Sequence, residues 1–591
     1  MLSAMLGKIK SLLTKSIESL IVRRLSSFTY LNVTQFTGAL NDNVYKFLIV
    51  YFLLDIQGMD NDYVIFSLTG AIFVLPFLLF STSSGTLADR VSKRNIIFFT
   101  KVFELIVMIS GFIAFYTHSV FGAYLTLFMM ATQSAIFSPS KYGILPELVS
   151  EEKISKANGL MTSFTFVAII LGTFLASFLT DITGRLYLIG SSACILISII
   201  GLIASCCIEY TPPSGSHTRF NLRVITQVIH NLKIASREPS LLPALLGSSF
   251  FLFLGAFFQM NMIPYAMNSL QLTDTQGGYL FILTALGIGM GALFAAKISG
   301  KTIELGIVPL AGYLVALTCF LLDHYSDTLL PVIPLVFLLG MFGGMWQIPL
   351  DSYIQVASPH QKRGQIIAAG NFTSFLGVLL ASGMLYLLTE ILGYDSSKCF
   401  TLIGWITTVI AFLYTFQFFD YITRFIGMIL SRLHFSITFH GQECIPTTPA
   451  IYICYHQAWN ETLLLMGSQR RRMRFFIEVE QDHKRWIKRL YKLLRVISLP
   501  EIEDLEHNPH TLNAIQKSLK SGISVCIFVN RPNLDEEIIK LKQSETFREI
   551  MDQKGYPIIP VHIEQGQKKP SPFFTRLLKK FRIPASISFQ C

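Results

Sequence analysis

Twelve stretches of this chain are each apolar for about 20 residues, the length at which a helix crosses the hydrocarbon core of a bilayer. They lie near 29–54, 63–83, 97–116, 119–138, 160–180, 186–207, 241–266, 278–298, 303–322, 329–349, 366–389 and 399–420. Lipid offers backbone amides no water, so stretches of this kind fold as helices. The pattern is that of a multi-pass helical membrane protein. Composition agrees, with 52% of the 591 residues apolar and only 14% charged. After Phe425 the apolar stretches stop, and the mixed, charged sequence to Cys591 reads as a soluble domain.

Basic residues orient the bundle, because short loops on the cytoplasmic side retain Lys and Arg. One alternating set of loops carries Arg90, Lys93 and Arg94; Lys141, Lys153 and Lys156; Arg219, Arg223, Lys233 and Arg237; Lys297 and Lys301; Lys362 and Arg363. The other set holds little beyond Arg185 and Lys398 and is acidic at Asp55, Asp60, Asp323, Asp327 and Asp395. Both termini are therefore expected in the cytoplasm. The connector from Glu209 to Arg237 divides the spans into two six-helix halves. Ahead of the first span, Leu2, Met5, Leu6, Ile9, Leu12 and Leu13 alternate with Lys8, Lys10 and Lys15, as in a helix lying in the interface. A cleaved leader is not expected, since no small-residue cleavage site follows an apolar core. The nine cysteines have neither metal-ligand nor disulfide spacing and are expected to pack as small apolar residues. Nothing calls for a metal or a cofactor, and without a G-x-x-x-x-G-K-[ST] loop direct ATP drive is not expected.

Between the second and third spans stands Gly85-Thr86-Leu87-Ala88-Asp89-Arg90-Val91-Ser92-Lys93-Arg94. An acid at a helix end can pair with an arginine or with the terminus of a neighbouring helix, and such a pairing can break as two halves rock. The pattern resembles the G-x-L-a-D-r-x-x-r-[KR] loop of the major facilitator superfamily. That resemblance implies a twelve-helix transporter in which Gly85, Asp89, Arg90 and Arg94 belong to a conformational loop.

The first span holds Ala39-Leu40-Asn41-Asp42-Asn43-Val44-Tyr45-Lys46. A charge in the middle of a bilayer costs roughly 3 kcal/mol on insertion scales, so such residues face cavities and pair. Asp42 and Lys46, four apart, share a helix face and are placed to pair with each other. Two readings stand: Asn41, Asp42, Asn43 and Lys46 line a polar cavity for a headgroup or a coupling cation, or Lys46 snorkels to an interface with Asp42 as counter-ion. Beginning at Phe137, FSPSKYGILPELVSEEKISKANGLM puts Lys141, Tyr142 and Glu147 at a membrane boundary, with Pro139 and Pro146 expected to break the helix on either side.

These two stretches, together with GKTIELGIVPL from Gly300, QIPLDSYIQ from Gln347 and RGQIIAAGNF from Arg363, resemble the bacterial lysophospholipid transporters of the same superfamily. The matches spread over most of residues 28–420. The resemblance implies inward movement of lysophospholipids, such as lysophosphatidylethanolamine, across a bacterial cytoplasmic membrane. A single-chain lipid needs a polar groove beside an apolar wall. Gly287, Gly289, Gly291, Gly340, Gly343 and Gly344 suit close helix approach and rocking, or simple helix packing.

The tail alternates short β-branched runs, at 450–454, 523–528 and 556–561, with helical stretches, which predicts an α/β domain. After the first run, Tyr455-His456-Gln457-Ala458-Trp459-Asn460-Glu461 resembles the N-H-x-x-x-x-D block of glycerolipid acyltransferases, and Ile559-Pro560-Val561 resembles their last block. The resemblance implies that His456 is the general base on an acceptor hydroxyl that attacks an acyl thioester, with an acid orienting it. The chain departs from that family in three places. Glu461 stands for Asp, Phe528-Val529-Asn530-Arg531 for F-P-E-G, and Val496-Ile497-Ser498-Leu499-Pro500-Glu501 for a block that usually ends near an Arg. A degenerate domain, an active one and a coincidental match all remain open. Arg470–Arg474 and the run from His483 to Arg495, interleaved with Trp486, Leu490, Tyr491 and Leu494, suit anionic lipid or form a solvated basic face. The net charge of +11 therefore needs no nucleic-acid partner.

The expected architecture is an α-helical membrane protein of the twelve-helix major facilitator fold with a small C-terminal cytosolic α/β acyltransferase-like domain. Its segments are 1–27 interfacial, 28–208 first half, 209–238 central loop, 239–424 second half and 425–591 soluble domain. The expected function is a lysophospholipid flippase of the inner membrane whose partners are its lysolipid and the membrane lipids. Any acyl donor comes from another protein, such as a separate acyl-carrier-protein synthetase, since no such domain fits the residues present. One alternative is a bifunctional transporter and O-acyltransferase using His456 and Glu461. Another is a carrier of some other amphiphile or solute with a scaffold tail.

Overall fold

The structure is a computed structural model that describes residues 26–57, 62–218, 223–441, 444–446, 448–455, 460–468, 472–478, 496–499, 509–529, 533–543, 547–548, 555–565 and 583–589. The expected interfacial segment, the basic run 483–495, and His456, Asn530 and Arg531 lie outside those residues. The chain divides into two compact units, 1–417 and 418–591.

The first unit is a helical bundle. Its long helices are α1 (Ser27–Gln57), α2 (Asp62–Arg90), α3 (Lys93–Tyr116), α4 (Val120–Gly143), α5 (Ile154–Ile182) and α6 (Tyr187–Cys206), then α7 (Leu241–Asn268), α8 (Asp274–Ser299), α9 (Ile307–His324), α10 (Leu329–Ala357), α11 (Arg363–Tyr386) and α12 (Ser396–Gln417). Among the described residues, the eleven from α2 to α12 are long and apolar enough to cross a membrane. The remaining one, α1, is 31 residues long and less apolar, because it carries the Asn41-Asp42-Asn43 run and Lys46. Each half closes around its own core. In the first, Tyr45, Phe52, Phe115, Leu127 and Met130 meet; in the second, Phe257, Tyr265, Leu322, Phe400 and Ile403. The halves meet along α2 against α11 and α5 against α8. Within the connector a helix, Val224–Ala235, is tied to both halves: Gln227 donates to Thr86 Oγ1 (3.1 Å) and Asn231 to the Gln365 carbonyl (3.4 Å).

Two expectations change here. Pro139 does not break a helix: α4 runs through it and ends at Gly143, so Lys141 and Tyr142 stand on a helix rather than in a loop. A proline in the last turns removes one amide donor whose partner nearby groups can replace. Cys444 is disulfide-bonded, so not all nine cysteines are packed hydrophobes; the seven other described ones are free.

The glycines expected to allow close approach separate into two kinds. A Cβ on Gly287 or Gly291 of α8 would strike the α10 backbone at Phe337 and Met341, and one on Gly340 or Gly344 of α10 would strike the α8 backbone at Thr284 and Ile288. Those four make α8 and α10 pack backbone to backbone. Gly289 is different, since its added Cβ would sit 3.7 Å from the nearest atom, ordinary contact.

In the second unit, helix α13 (Phe419–His434) precedes seven strands: β1 (Phe435–His440), β2 (Ile451–Tyr455), β3 (Met473–Glu478), β4 (Ile497–Leu499), β5 (Ser524–Val529), β6 (Ile558–Gln565) and β7 (Ile583–Phe589). They form one sheet in the order β1-β7-β6-β2-β5-β3-β4, parallel except where β6 meets β7. Helices α14 (Asn460–Ser468), α15 (Pro509–Lys520) and α16 (Leu534–Gln543) connect strands. Central β2 is apolar on both faces: Ile451 and Ile453 pack with Leu512 and Ile515 of α15, and Tyr452 and Cys454 with Leu464 and Leu465 of α14.

The seam between α8 and α10 predicts an asymmetry. Gly340→Leu should destabilise the detergent-purified protein by on the order of 2 kcal/mol, as overpacking does. Gly289→Ala should change it by less than about 0.5 kcal/mol. Thermal unfolding midpoints check both, and equal midpoints would remove the seam's structural role.

Candidate functional site

Between the halves of the bundle lies a cavity of about 310 Å³ lined by eight helices: α1 to α5, α7, α10 and α11. It forms where small and polar residues interrupt otherwise apolar helices, so that the two cores do not merge. Its walls are of two kinds. Phe73, Phe77, Phe375, Ile169 and Leu252 supply an apolar side, and Phe77 and Phe375 stack across the two halves at 3.9 Å between centroids. The polar side holds five ionisable groups.

Lys101 and Glu104, on α3, pair at 2.6 Å with both side chains buried. Glu104 also accepts from Asn41 Nδ2 and Gln133 Nε2, each at 3.3 Å. A buried pair with its remaining lone pairs satisfied offsets its desolvation and contributes no net charge. The other three groups are not neutralised in this way. Among the described residues, Asp42 accepts only from Ser134 Oγ, at 2.7 Å, and its buried Oδ1 has no hydrogen-bond partner. Asp351, on α10, accepts from Ser248 Oγ (3.0 Å) and Gln347 Nε2 (2.7 Å). Both carboxylates thus rest on neutral donors. Among the described residues, Lys141 has no carboxylate within ion-pair range. Its Nζ lies 4.6 Å from the centroid of the Tyr142 ring and 5.8 Å from that of Phe137. Two carboxylates from opposite halves and one unpaired ammonium therefore face a shared space that is half apolar. A site with those groups suits a ligand that carries both charges and an apolar body.

The residues singled out from the sequence separate accordingly. Asp42, Asn43, Lys141 and Tyr142 line the cavity. Asn41 instead turns toward Glu104 and supports the ion pair. Lys46 does not pair with Asp42; it lies one turn along, 5.4 Å from the centroid of the Phe73 ring, and outside the lining. Glu147 is remote from the cavity and pairs with Lys93 at 2.6 Å. The groups that sequence reasoning did not select are Lys101, Glu104 and Asp351. Lys101 and Glu104 are ionisable residues inside an apolar span, the signal that singles out Asp42, whereas Asp351 lies two positions past the end of the span at 329–349.

The 85–94 loop takes a definite role. Asp89 accepts from the backbone amides of Gly364 (2.7 Å) and Gln365 (3.0 Å) and from Gln365 Nε2 (3.1 Å), at the first turn of α11. Gly85 and Gly364 allow this approach, since a Cβ on either would meet the opposing backbone within 2.7 Å. Arg94 donates to the carbonyls of Ile208 (3.0 Å) and Cys206 (2.8 Å), closing the end of α6, while Arg90 is exposed. Further bonds join the halves on this connector side. Asn158 and Gln355 exchange reciprocal amide bonds of 2.9 Å, and Asn371 donates to Ser138 at 3.0 Å.

In the second unit, Glu461 is buried in the first turn of α14, just past the end of β2. Its proposed partner His456 lies outside the described residues, so the pair's geometry is not described. Burial pushes the Cys454 and Cys526 thiols above their ordinary range and holds them protonated, which disqualifies them as thiolate nucleophiles.

Comparison with known proteins gives the same division. Residues 436–564 match the acyltransferase family, so the second unit carries an acyltransferase domain. The first unit is similar to the lysophospholipid transporter LplT of Enterobacter sp. (strain 638), 29% identical over 321 residues, covering 53% of this chain and 77% of that protein. LplT of Photorhabdus laumondii is 28% identical over 365 residues, covering 61% and 87%. In fold it is similar to the human organic anion transporter MFSD10 (TM-score 0.55, 17% identity, 66% of this chain and 99% of that one). It is likewise similar to the E. coli fucose:proton symporter FucP (TM-score 0.54, 13% identity, 66% and 98%). Residues 31–382 match the Major Facilitator Superfamily, and with twelve long helices in two halves around a shared cavity the chain belongs to that superfamily.

Proposed function

We propose that this protein carries lysophospholipids from the outer to the inner leaflet of a bacterial cytoplasmic membrane, where they are reacylated. The observation that carries the reading is the cavity, in which unpaired Lys141 and the carboxylates Asp42 and Asp351 face an aromatic wall. The similarity to proteins named lysophospholipid transporters supports it. The phosphate of a lysolipid meets Lys141, and the ammonium of a zwitterionic headgroup meets Asp42 or Asp351. Its single acyl chain lies along Phe73, Phe77 and Phe375. The basic loops support an orientation with both termini and the connector in the cytoplasm. On that orientation the bonds of Asp89, Asn158 and Asn371 form the closed cytoplasmic gate, and inward release requires them to break. The segments named from the sequence, 28–208 and 239–424, are the rocking halves on this reading.

A second reading is favoured by the acyltransferase match: His456 and Glu461 acylate the lysolipid that the bundle delivers. Glutamate is one methylene longer than the usual aspartate, so its buried position in the first turn of α14 sets how well it can orient His456. The donor is an acyl thioester held by a separate protein.

Labelled lysophosphatidylethanolamine in proteoliposomes tests both readings, with leaflet position and conversion to diacyl lipid scored after an acyl donor is added. Inward movement is the expected result. Its absence, or competition only by unrelated solutes, would defeat the transport reading. Conversion that His456→Ala abolishes while movement persists would establish the second reading; movement without conversion would leave a transporter with an inactive domain.

Two substitutions probe the cavity. Lys141→Ala should weaken apparent lysolipid affinity by roughly tenfold or more, because it removes a charge-assisted contact of about 1.5–3 kcal/mol. Asp42→Asn should slow uptake. Wild-type rates for Asp42→Asn across pH and sodium gradients would make Asp42 a structural residue.

A further inference from the structure

Helix α13 has two apolar faces, and among the described residues only one of them is covered. Ile422, Phe425 and Met428 are buried, and the helix packs on α14 and β1. Ile426 (40%), Ile429 (40%), Leu430 (48%) and Leu433 (61%) are exposed, at the i, i+3, i+4 and i+7 spacing of one helical stripe. Branched aliphatic residues scattered singly on a surface need no explanation; four in one row on one helix do.

The chain itself indicates what covers them. A single residue, Phe418, separates the end of membrane-crossing α12 at Gln417 from the start of α13 at Phe419. Helix α13 therefore begins where the polypeptide leaves the hydrocarbon. At the junction Phe416 is exposed and Phe419 and Tyr421 are half-buried, while Phe418 is buried, and Arg432 is exposed between the stripe residues Leu430 and Leu433. Aromatic side chains and cations beside an apolar stripe are the composition of a helix lying in the headgroup region.

We propose that α13 lies in the lipid–water interface with this stripe in the acyl boundary, and that it seats the acyltransferase domain on the bilayer surface. The opposite side of the helix supports the second half of that statement. Gly427 backs directly onto Met466 of α14, the helix that begins at Asn460 and Glu461 beside the candidate acyl-transfer block. A helix held by lipid on one face thus positions that block from the other. The inference requires that α12 cross the membrane, and it is independent of the cargo.

The test uses the full-length protein in vesicles of phosphatidylethanolamine and phosphatidylglycerol. Leu430→Cys and Leu433→Cys are labelled with an environment-sensitive fluorophore, and Glu536→Cys, exposed on α16, serves as the aqueous control. Signal from the native cysteines is subtracted using the unsubstituted protein. The expected result is blue-shifted emission at 430 and 433, with quenching by acyl-chain nitroxide lipids several-fold stronger than by iodide and the reverse at 536. Iodide quenching at 430 and 433 equal to that at 536 would put the stripe in water and overturn the proposal. Shielding from both quenchers would mean that protein covers it. Disulfide-linked dimers of unlabelled Leu430→Cys that vanish on dilution would assign it to a second copy; either result also overturns the proposal.

Discussion

The Asp89 carboxylate ties the two halves of the bundle together at the connector side, alongside the Asn158–Gln355 and Asn371–Ser138 bonds. Asp89 ends α2, and its two oxygens take three donors from the first residues of α11, where the helix has unsatisfied amides and a partial positive charge. Gly85 and Gly364 are small because any larger residue would separate the helices and break that geometry. The connector adds to the same point, as Ser214 donates to the Asp89 carbonyl at 2.7 Å. Held together here, the two halves give the cavity between them its shape.

A low-dielectric bundle accepts charges only under conditions that this cavity meets in two different ways. Lys101 and Glu104 neutralise each other, and both Glu104 oxygens accept hydrogen bonds, which makes the pair part of the wall. Among the described residues, Lys141, Asp42 and Asp351 have no ionic partners, and they line a space of about 310 Å³. An unpaired buried charge is costly until something compensates it, and that cost favours a ligand of complementary charge over an empty site. The aromatic side adds selectivity for an apolar body. On the proposed function, headgroup and chain are read by different walls of one cavity.

The second unit rests on a different principle. Its central strand β2 is buried on both faces, and parallel pairing with β5 and β6 requires helices to cross over and cover the sheet. That arrangement brings the segment after β2, with Glu461 buried at its far end, to the carboxyl end of the sheet. Open α/β sheets place their ligand sites there. Along the sequence, the departures from the acyltransferase pattern lie in or just after β2, β4 and β5.

What the sequence determined alone is everything that lipid enforces. Spans of about 20 apolar residues must be helices, basic loops mark one side, and the connector separates two halves, because each follows from the loss of water along the chain. The α/β character of the tail was equally readable, since β-branched runs must be sheathed on both faces. The partners of buried charges were not readable. Asp89 was placed at a helix end with its partner open between an arginine and a helix terminus; the fold chose Gly364 and Gln365, 275 and 276 positions away. Asp42 and Lys46 share a face one turn apart, yet packing gave Asp42 to Ser134 and put Lys46 over Phe73. Glu147 was grouped with Lys141 by nearness in sequence, while a helix running through Pro139 sent Lys141 into the cavity and left Glu147 to Lys93. That Asp351, Lys101 and Glu104 share one space with Asp42 became visible only when eight helices met around it. Hydropathy is a property of each segment and can be summed along a chain. The pairing of charges depends on which helices pack together, and only the tertiary structure decides that.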